Sequence, residues 1–350
     1  MPSRIAFLTA LALVAASSAA QAPALQTLVV DYDDGALASP PALGFPFYTP
    51  GGGSAGQTVR VQFHCPPGFG ALPTTPMLCT RVGVQLAGQA TYGTFRIRAG
   101  SSPVTALTNV WAQNLPDQRL QHELDGAPLD FGPNADWVEW DLAHPFVFQP
   151  GQGVVLDLTT NLASIGSFLG TAVTTAPTPR LLDLDYQGLP VGPAPRTSGG
   201  LKFRMVFEPL GSLSGYGAGC AGQGGFVPEI GANGVAAVGS AGFAIELSSA
   251  APGTLTGLLL GTARGVGAPF SLPRSFGGGC ALLHSADLPA GSVVTTGGAA
   301  GSGTANLPLP VPNDPGLVGA VLFAQWAQID PASSSPLGIT FSDAGVVAIR

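Results

Sequence analysis

Glycine and proline punctuate this chain too densely for long helices, with 50 glycines and 33 prolines spread over 350 residues, and both residues weaken or break helix interiors. Between them lie short apolar runs at the spacing expected of an all-β sandwich. Several runs alternate with a period of two, which sends successive side chains to opposite faces of a sheet. Val59, Val61 and Phe63 oppose Arg60, Gln62 and His64; Val82, Val84 and Leu86 oppose Arg81 and Gln85; Phe95 and Ile97 oppose Arg96 and Arg98. Likewise Val138, Trp140 and Leu142 oppose Trp137, Glu139 and Asp141, while Leu201, Phe203, Met205 and Phe207 oppose Lys202, Arg204 and Glu208. Half-buried antiparallel strands are the natural reading. HPFVFQPGQGVVLDL adds two more strands joined at Pro150-Gly151, which makes a jelly-roll-like sandwich the expected fold of this part.

A boundary is expected near residues 209 to 214, where Glu208-Pro209 ends an alternating run and Gly211, Ser212 and Ser214 follow. Nine basic and fourteen acidic residues lie between 23 and 208, against three and six between 212 and 350. The second part therefore offers little chemistry, and its shorter runs predict a smaller, glycine-rich sandwich over 211–350 behind a first domain at 21–210. FAIELSS at 243 to 249, TLTGLLLG at 254 to 261 and CALLHSA at 280 to 286 read as strands, with ITFS and VVAI placed around a turn at Asp343-Ala344-Gly345. LVGAVLFAQWAQID at 317 to 330 is apolar on both sides. Its β-branched and aromatic residues, bracketed by prolines, favour a strand over a short helix.

Residues 1–20 have the layout of a secretory signal peptide, with Arg4 ahead of the apolar run Ile5 to Ala16 and small residues up to Ala20. The expected localisation is secreted or cell-surface, with no membrane span after signal removal. Four cysteines suit that compartment, and economy pairs Cys65 with Cys79 and Cys220 with Cys280. Zinc lacks its C-x-x-C spacing, and His64, His122, His144 and His284 are scattered. No basic run of the kind nucleic acid requires is present, so nucleic acid is excluded as a partner.

GYGAGCAGQGG at 215 to 225 contains Gly217-x-Gly219-x-x-Gly222, the spacing of a dinucleotide loop. Such a loop needs a helix to begin after it, and Phe226-Val227-Pro228 supplies none. The segment from GYGAGCAG through the second G-x-G-C, LPLPVPNDPGLVGAVLFAQWAQID and the closing GITFSDAGVVAI resembles a C-terminal module of secreted proteins of environmental bacteria, over about 214–350. The resemblance implies a β-sandwich at the end of an exported protein and carries no established activity. Residues 80 to 160, around WVEWDLAHPFVFQPG, resemble jelly-roll domains of such proteins.

Catalytic patterns are weak. Gly52-Gly53-Ser54-Ala55-Gly56 matches G-x-S-x-G outside any strand-turn-helix setting. Glu123, Glu139 and Asp141 are candidates for a glycosidase pair, but spacing supplies neither an acid nor a base of tuned pKa. No catalytic residue and no cofactor is assigned. Asp31, Asp33 and Asp34 in VVDYDDG, with Asp183 and Asp185 in LLDLDYQG, are candidate ligands for a structural calcium, against the ordinary reading that aspartates flank turns. The outward phase collects Trp137, Glu139, Asp141, Arg96, Arg98 and Arg204 as a candidate ligand face, where an indole would stack on a sugar ring. Two function classes follow. One is a non-catalytic exported structural or interaction protein whose partners are cell-surface components; the other is a carbohydrate-binding module that holds an extracellular polysaccharide on this face.

Overall fold

The structure, a computed structural model, describes residues 27–32, 57–87, 89–124, 126, 128–130, 136–162, 170–171, 173–174, 179–197, 200–265 and 272–350. The fold is all-β, in antiparallel sheets. The first nine main strands are β1 (Leu28–Tyr32), β2 (Thr58–Cys65), β3 (Met77–Ala87), β4 (Gln89–Ser102), β5 (His122–Glu123), β6 (Asp136–Phe148), β7 (Gly153–Leu162), β8 (Pro179–Asp183) and β9 (Phe203–Pro209). Sheet I runs β1-β9-β3-β6, and sheet II runs β8-β2-β7-β4-β5. The chain passes from sheet I to sheet II between Ala87 and Gln89, and again at Pro150-Gly151. These connections are therefore arches between sheets, not hairpins. The apolar phases of both sheets meet in one core, where Val61, Phe63 and Leu158 pack with Val82, Trp140 and Phe203.

The later strands are β10 (Leu213–Tyr216), β11 (Glu229–Asn233), β12 (Ala244–Ala250), β13 (Leu255–Gly261), β14 (Leu288–Val294), β15 (Gly303–Pro308), β16 (Val321–Ile329) and β17 (Ile339–Ala348). Sheet III runs β10-β17-β16-β13-β14, and sheet IV runs β11-β12-β15. Ile245 and Leu247 of sheet IV pack with Leu258, Trp326 and Val347 of sheet III. The Trp326 indole N–H donates to Glu246 O at 2.9 Å, so the largest ring of this core is satisfied across the two sheets.

Three local expectations change. The 317–330 segment does form a strand, but CALLHSA contributes only the two-residue strand Ala281–Leu282. No turn occurs at 343–345, because β17 runs straight through it. Gly345 pairs with Gly215 on one side and Ala324 on the other, and a Cβ there would stand 2.7 Å from the Leu213 side chain. The glycine is needed for close approach, not for bending. Edge strand β14 escapes the pattern because Pro289 and Gly291 interrupt it.

Cys220 and Cys280 are bonded, and the pair packs with Leu282 and Phe341. The expected Cys65–Cys79 bond is not formed. Cys65 ends β2 in sheet II, Cys79 lies in β3 of sheet I, and both are fully buried thiols in the core. They fill space as small apolar groups, and burial pushes both thiol pKa values up.

Among the described residues no sheet contains strands from both sides of the Pro209–Leu213 connection. The two sandwiches are nevertheless interlocked. Leu78 of β3 clusters with Phe323, Val346 and Ala348 of sheet III. Beside this cluster Arg264, 4% exposed, reaches from the second sandwich into the first. Its Nε donates to Leu142 O at 2.7 Å and its Nη2 to Thr80 O at 3.1 Å. Both carbonyls belong to irregular stretches of strand. Thr80 is skipped in the β3 ladders with β9 and β6, and β6 advances from Asp141, opposite Arg81, to Phe146, opposite Cys79. The guanidinium also lies 4.1 Å from the Tyr216 ring centroid and 3.7 Å from Asp141.

Replacing Arg264 with alanine removes two charge-assisted hydrogen bonds to buried carbonyls, so a stability loss of about 3 kcal/mol is expected. Calorimetry should show the single transition separating into two, and unfolding at the wild-type temperature would contradict the lock. In native protein neither Cys65 nor Cys79 should react with a maleimide, whereas both should label after denaturation without reductant. A pair that stays unlabelled in the denatured chain until reductant is added would show the two cysteines bonded and the core differently arranged.

Candidate functional site

The outer face of sheet I carries an ordered ionic row. Asp31 of β1 stands opposite Arg204 of β9, Arg204 opposite Gly83 of β3, and Gly83 opposite Glu139 of β6. Arg204 spans the row, donating from Nε to Asp31 Oδ1 at 2.7 Å, from Nη2 to Asp31 Oδ2 at 2.9 Å and from Nη1 to Glu139 Oε1 at 3.1 Å. Gly83 makes the span feasible, since a Cβ there would lie 2.9 Å from both Glu139 Cγ and Val138 O. Arg81 adds a second cation to Glu139 at 3.0 Å. Trp137 stands on the same face, with the Arg204 guanidinium 4.3 Å from its ring centroid. The hydrogen bonds to Asp31, with those to Glu139, hold the Arg204 pKa above its ordinary value against the cost of burial.

The expected ligand face does not hold together as one surface. Trp137, Glu139, Asp141 and Arg204 share sheet I, but Arg96 and Arg98 lie on β4 of sheet II, on the opposite outer face of the sandwich. Alternation tells which side of a strand meets the core and is blind to which sheet the strand joins. Arg96 Nε donates to Glu123 Oε1 at 2.6 Å. Arg98 donates to Gln118 O and Thr159 Oγ1.

Sheet II holds what alternation missed. Arg60, Gln62 and His64 are on the outward phase yet are 5%, 0% and 0% exposed, because the β4–β5 connection and the segment after β8 lie over them. That cover is tied down by Trp111 N donating to Pro190 O and Gly192 N to Asn109 O. Beneath it Asp157, fully buried, accepts from Arg60 Nη2 at 2.7 Å and Gln62 Nε2 at 2.8 Å. Arg60 also donates to the Tyr186 hydroxyl at 2.7 Å and lies against both the Trp111 and Tyr186 rings, 4.6 and 5.0 Å from their centroids, while the rings meet edge to face at 5.8 Å. Burial lowers the Arg60 pKa, but attraction to Asp157 outweighs it and the net shift is upward. The one available signal was Asp157 itself, a lone carboxylate inside the apolar run VVLDL.

Of the aspartates expected to gather around calcium, the three that are described, Asp31, Asp183 and Asp185, do not form one cluster. Asp31 is held by Arg204, whereas Asp183 ends β8 opposite Arg60 on the far outer face, and Asp185 lies just beyond it with its N–H donating to Asp183 Oδ1. Asp33, Asp34 and the Gly52–Gly56 motif fall outside the described residues. Among those described, no group of three or more histidine, cysteine, aspartate or glutamate side chains is placed to hold a metal. Of the glycosidase candidates, Glu123 pairs with Arg96, Glu139 with Arg81 and Arg204, and Asp141 approaches Arg264. The glycine loop at 215–225 closes on the protein itself. Gln223 N donates to Asp330 Oδ2 at 2.6 Å, and a Cβ on Gly219 would lie 2.8 Å from Phe341 O.

With this geometry in view, no family model, curated protein or solved structure matches the chain. No described helix is long and apolar enough to cross a membrane.

Three histidines offer a pH test. His64 and His284 are buried and His122 half-buried, each has a ring nitrogen without a hydrogen-bond partner among the described residues, and burial lowers each pKa from 6.5 to about 4. The unfolded chain therefore takes up protons that the fold refuses. Their contribution is complete above pH 6.5 and is lost as the pH falls toward 4, at up to about 1.4 kcal/mol per pH unit for each histidine. Urea midpoints should drop between pH 7 and pH 5, and less steeply when His64 and His284 are glutamine; a flat profile in the wild type would contradict the burial.

Proposed function

We propose that this is an exported, non-catalytic interaction protein, acting at a cell surface or in an extracellular assembly. The observation that carries the reading is the commitment of its charged side chains to one another. Arg204 is held by Asp31 and Glu139, Arg60 by Asp157, and Arg96 by Glu123, an arrangement that rigidifies surfaces and leaves these carboxylates as ion-pair partners in place of proton-transfer groups. The disulfide of the second sandwich suits an oxidising compartment.

A carbohydrate-binding role for the sheet I face is the second reading. Trp137 favours it, because its indole stands on the outward side of β6 in a rigid ionic setting, where a sugar ring stacks on an aromatic face.

The test is a pull-down of the purified chain on insoluble polysaccharides and on the envelopes of bacterial cells, with soluble products assayed in parallel. Retention without release of reducing ends or acyl groups is the expected outcome. Turnover that survives repurification would sink the non-catalytic reading. Loss of retention in Trp137→Ala assigns binding to sheet I, and equal retention removes that face from the function.

A further inference from the structure

The irregular stretch of β6 at Leu142–Pro145 does more than expose a carbonyl to Arg264. His144 N and Ala143 N turn toward Gln121, donating to its Oε1 at 2.8 Å and its backbone oxygen at 3.1 Å. That diversion opens one wall of a cleft between the two sandwiches. The cleft has a volume of about 730 Å³, within the range of roughly 300 to 1,000 Å³ typical of ligand sites, which favour domain junctions. Its apolar lining includes Phe146, Val321 and Phe323, and its polar lining includes Arg119, His144 and Arg350. Among the described residues no aspartate or glutamate side chain lines it, and Asp117, which pairs with Arg119, stands outside the lining. In a chain of net charge −7 with thirteen lysines and arginines, two arginines and a histidine around one cleft form a marked concentration.

The two guanidiniums are differently placed. Arg119 is oriented by Asp117, with Nη2 donating at 2.7 Å and Nε at 2.9 Å, which leaves Nη1 without a hydrogen bond among the described residues. Arg350 is exposed, and among the described residues no ion pair or hydrogen bond engages its guanidinium. Its stem is placed by Gly211, where a Cβ would lie 3.2 Å from Arg350 Cδ. Gly211, at φ +82°, bonds through its N–H to Ala348 O and so ties the connection between the sandwiches to the last strand. An oriented planar donor, a second free one and an apolar floor together recognise an anion that also presents an apolar face.

We infer that this cleft binds a carboxylated sugar, a uronate unit whose carboxylate meets Arg119 and Arg350 and whose C–H face lies on the apolar floor. The choice of a sugar acid over other carboxylates rests on the proposed extracellular role; the anion site itself does not.

The experiment titrates the full chain with tetragalacturonate, with neutral galactotetraose and with inorganic phosphate, by calorimetry at low and high salt. Salt-sensitive binding of tetragalacturonate alone is expected, weakened about tenfold or more in Arg350→Ala and in Arg119→Ala and unchanged in Trp137→Ala. Arg350 is exposed and makes no fold contact through its charge, so calorimetric melting of that variant should match the wild type. No binding of the acidic probe, equal binding of the neutral one, or losses confined to Trp137→Ala would overturn the cleft as a uronate site. Phosphate binding that matches tetragalacturonate would overturn the sugar while keeping the anion. The pull-down on envelopes is read separately, so the interaction role and the cleft fail independently.

Discussion

The Arg264 guanidinium, seated on two carbonyls that irregular strands leave free, holds the two sandwiches in one relation. A regular β3–β6 ladder would have spent the Thr80 and Leu142 carbonyls on strand pairing. The bulges release them into a dry junction, where an uncompensated carbonyl costs on the order of 1 to 3 kcal/mol, and an arginine from the other sandwich satisfies both. Burial lowers the Arg264 pKa, and attraction to Asp141 works against that shift. The cleft, the Leu78 cluster and the Gly211 connection all lie around this contact and inherit its geometry.

The chain has one lysine, and its arginines show why the guanidinium is preferred. Arg60 lies against Trp111 and Tyr186, Arg204 over Trp137 and Arg264 over Tyr216. A planar, weakly hydrated cation stacks on a ring while donating along its edge, whereas an ammonium keeps its water. Each of these arginines thus bridges a ring, a carboxylate or carbonyl, and a neighbouring strand. With so few charges available, each becomes a structural joint.

Glycine plays two separable parts. At Gly211 it supplies a left-handed backbone that places a connection. At Gly83 and Gly345 the backbone is extended, and the missing side chain is what matters, since Glu139 and Leu213 occupy the space a Cβ would need. The 215–225 loop uses both: Gly217, Gly224 and Gly225 adopt the left-handed backbone, whereas Gly219 and Gly222 approach their neighbours too closely for a Cβ; its spacing resembles a phosphate cradle, yet the carboxylate it meets is the protein's own Asp330.

Alternation was enough to read the β class and the phase of the long strands, because the same period of two that places Val138, Trp140 and Leu142 toward the core writes itself directly into residue order. The strand at 321–329 and the Cys220–Cys280 bond were legible for similarly local reasons of composition and spacing. What order along one strand cannot contain is which sheet that strand joins. Arg96 and Arg98 were therefore grouped with Trp137, from which the whole thickness of a sandwich separates them. For the same reason Arg60 and His64 read as solvated although a distant segment covers them, and Cys65 and Cys79 read as bonded although each fills its own place in the core. Sheet membership, the covering layer, the Arg264 junction and the cleft beside it depend on contacts between residues far apart in the chain, and only the packed structure brings those residues together.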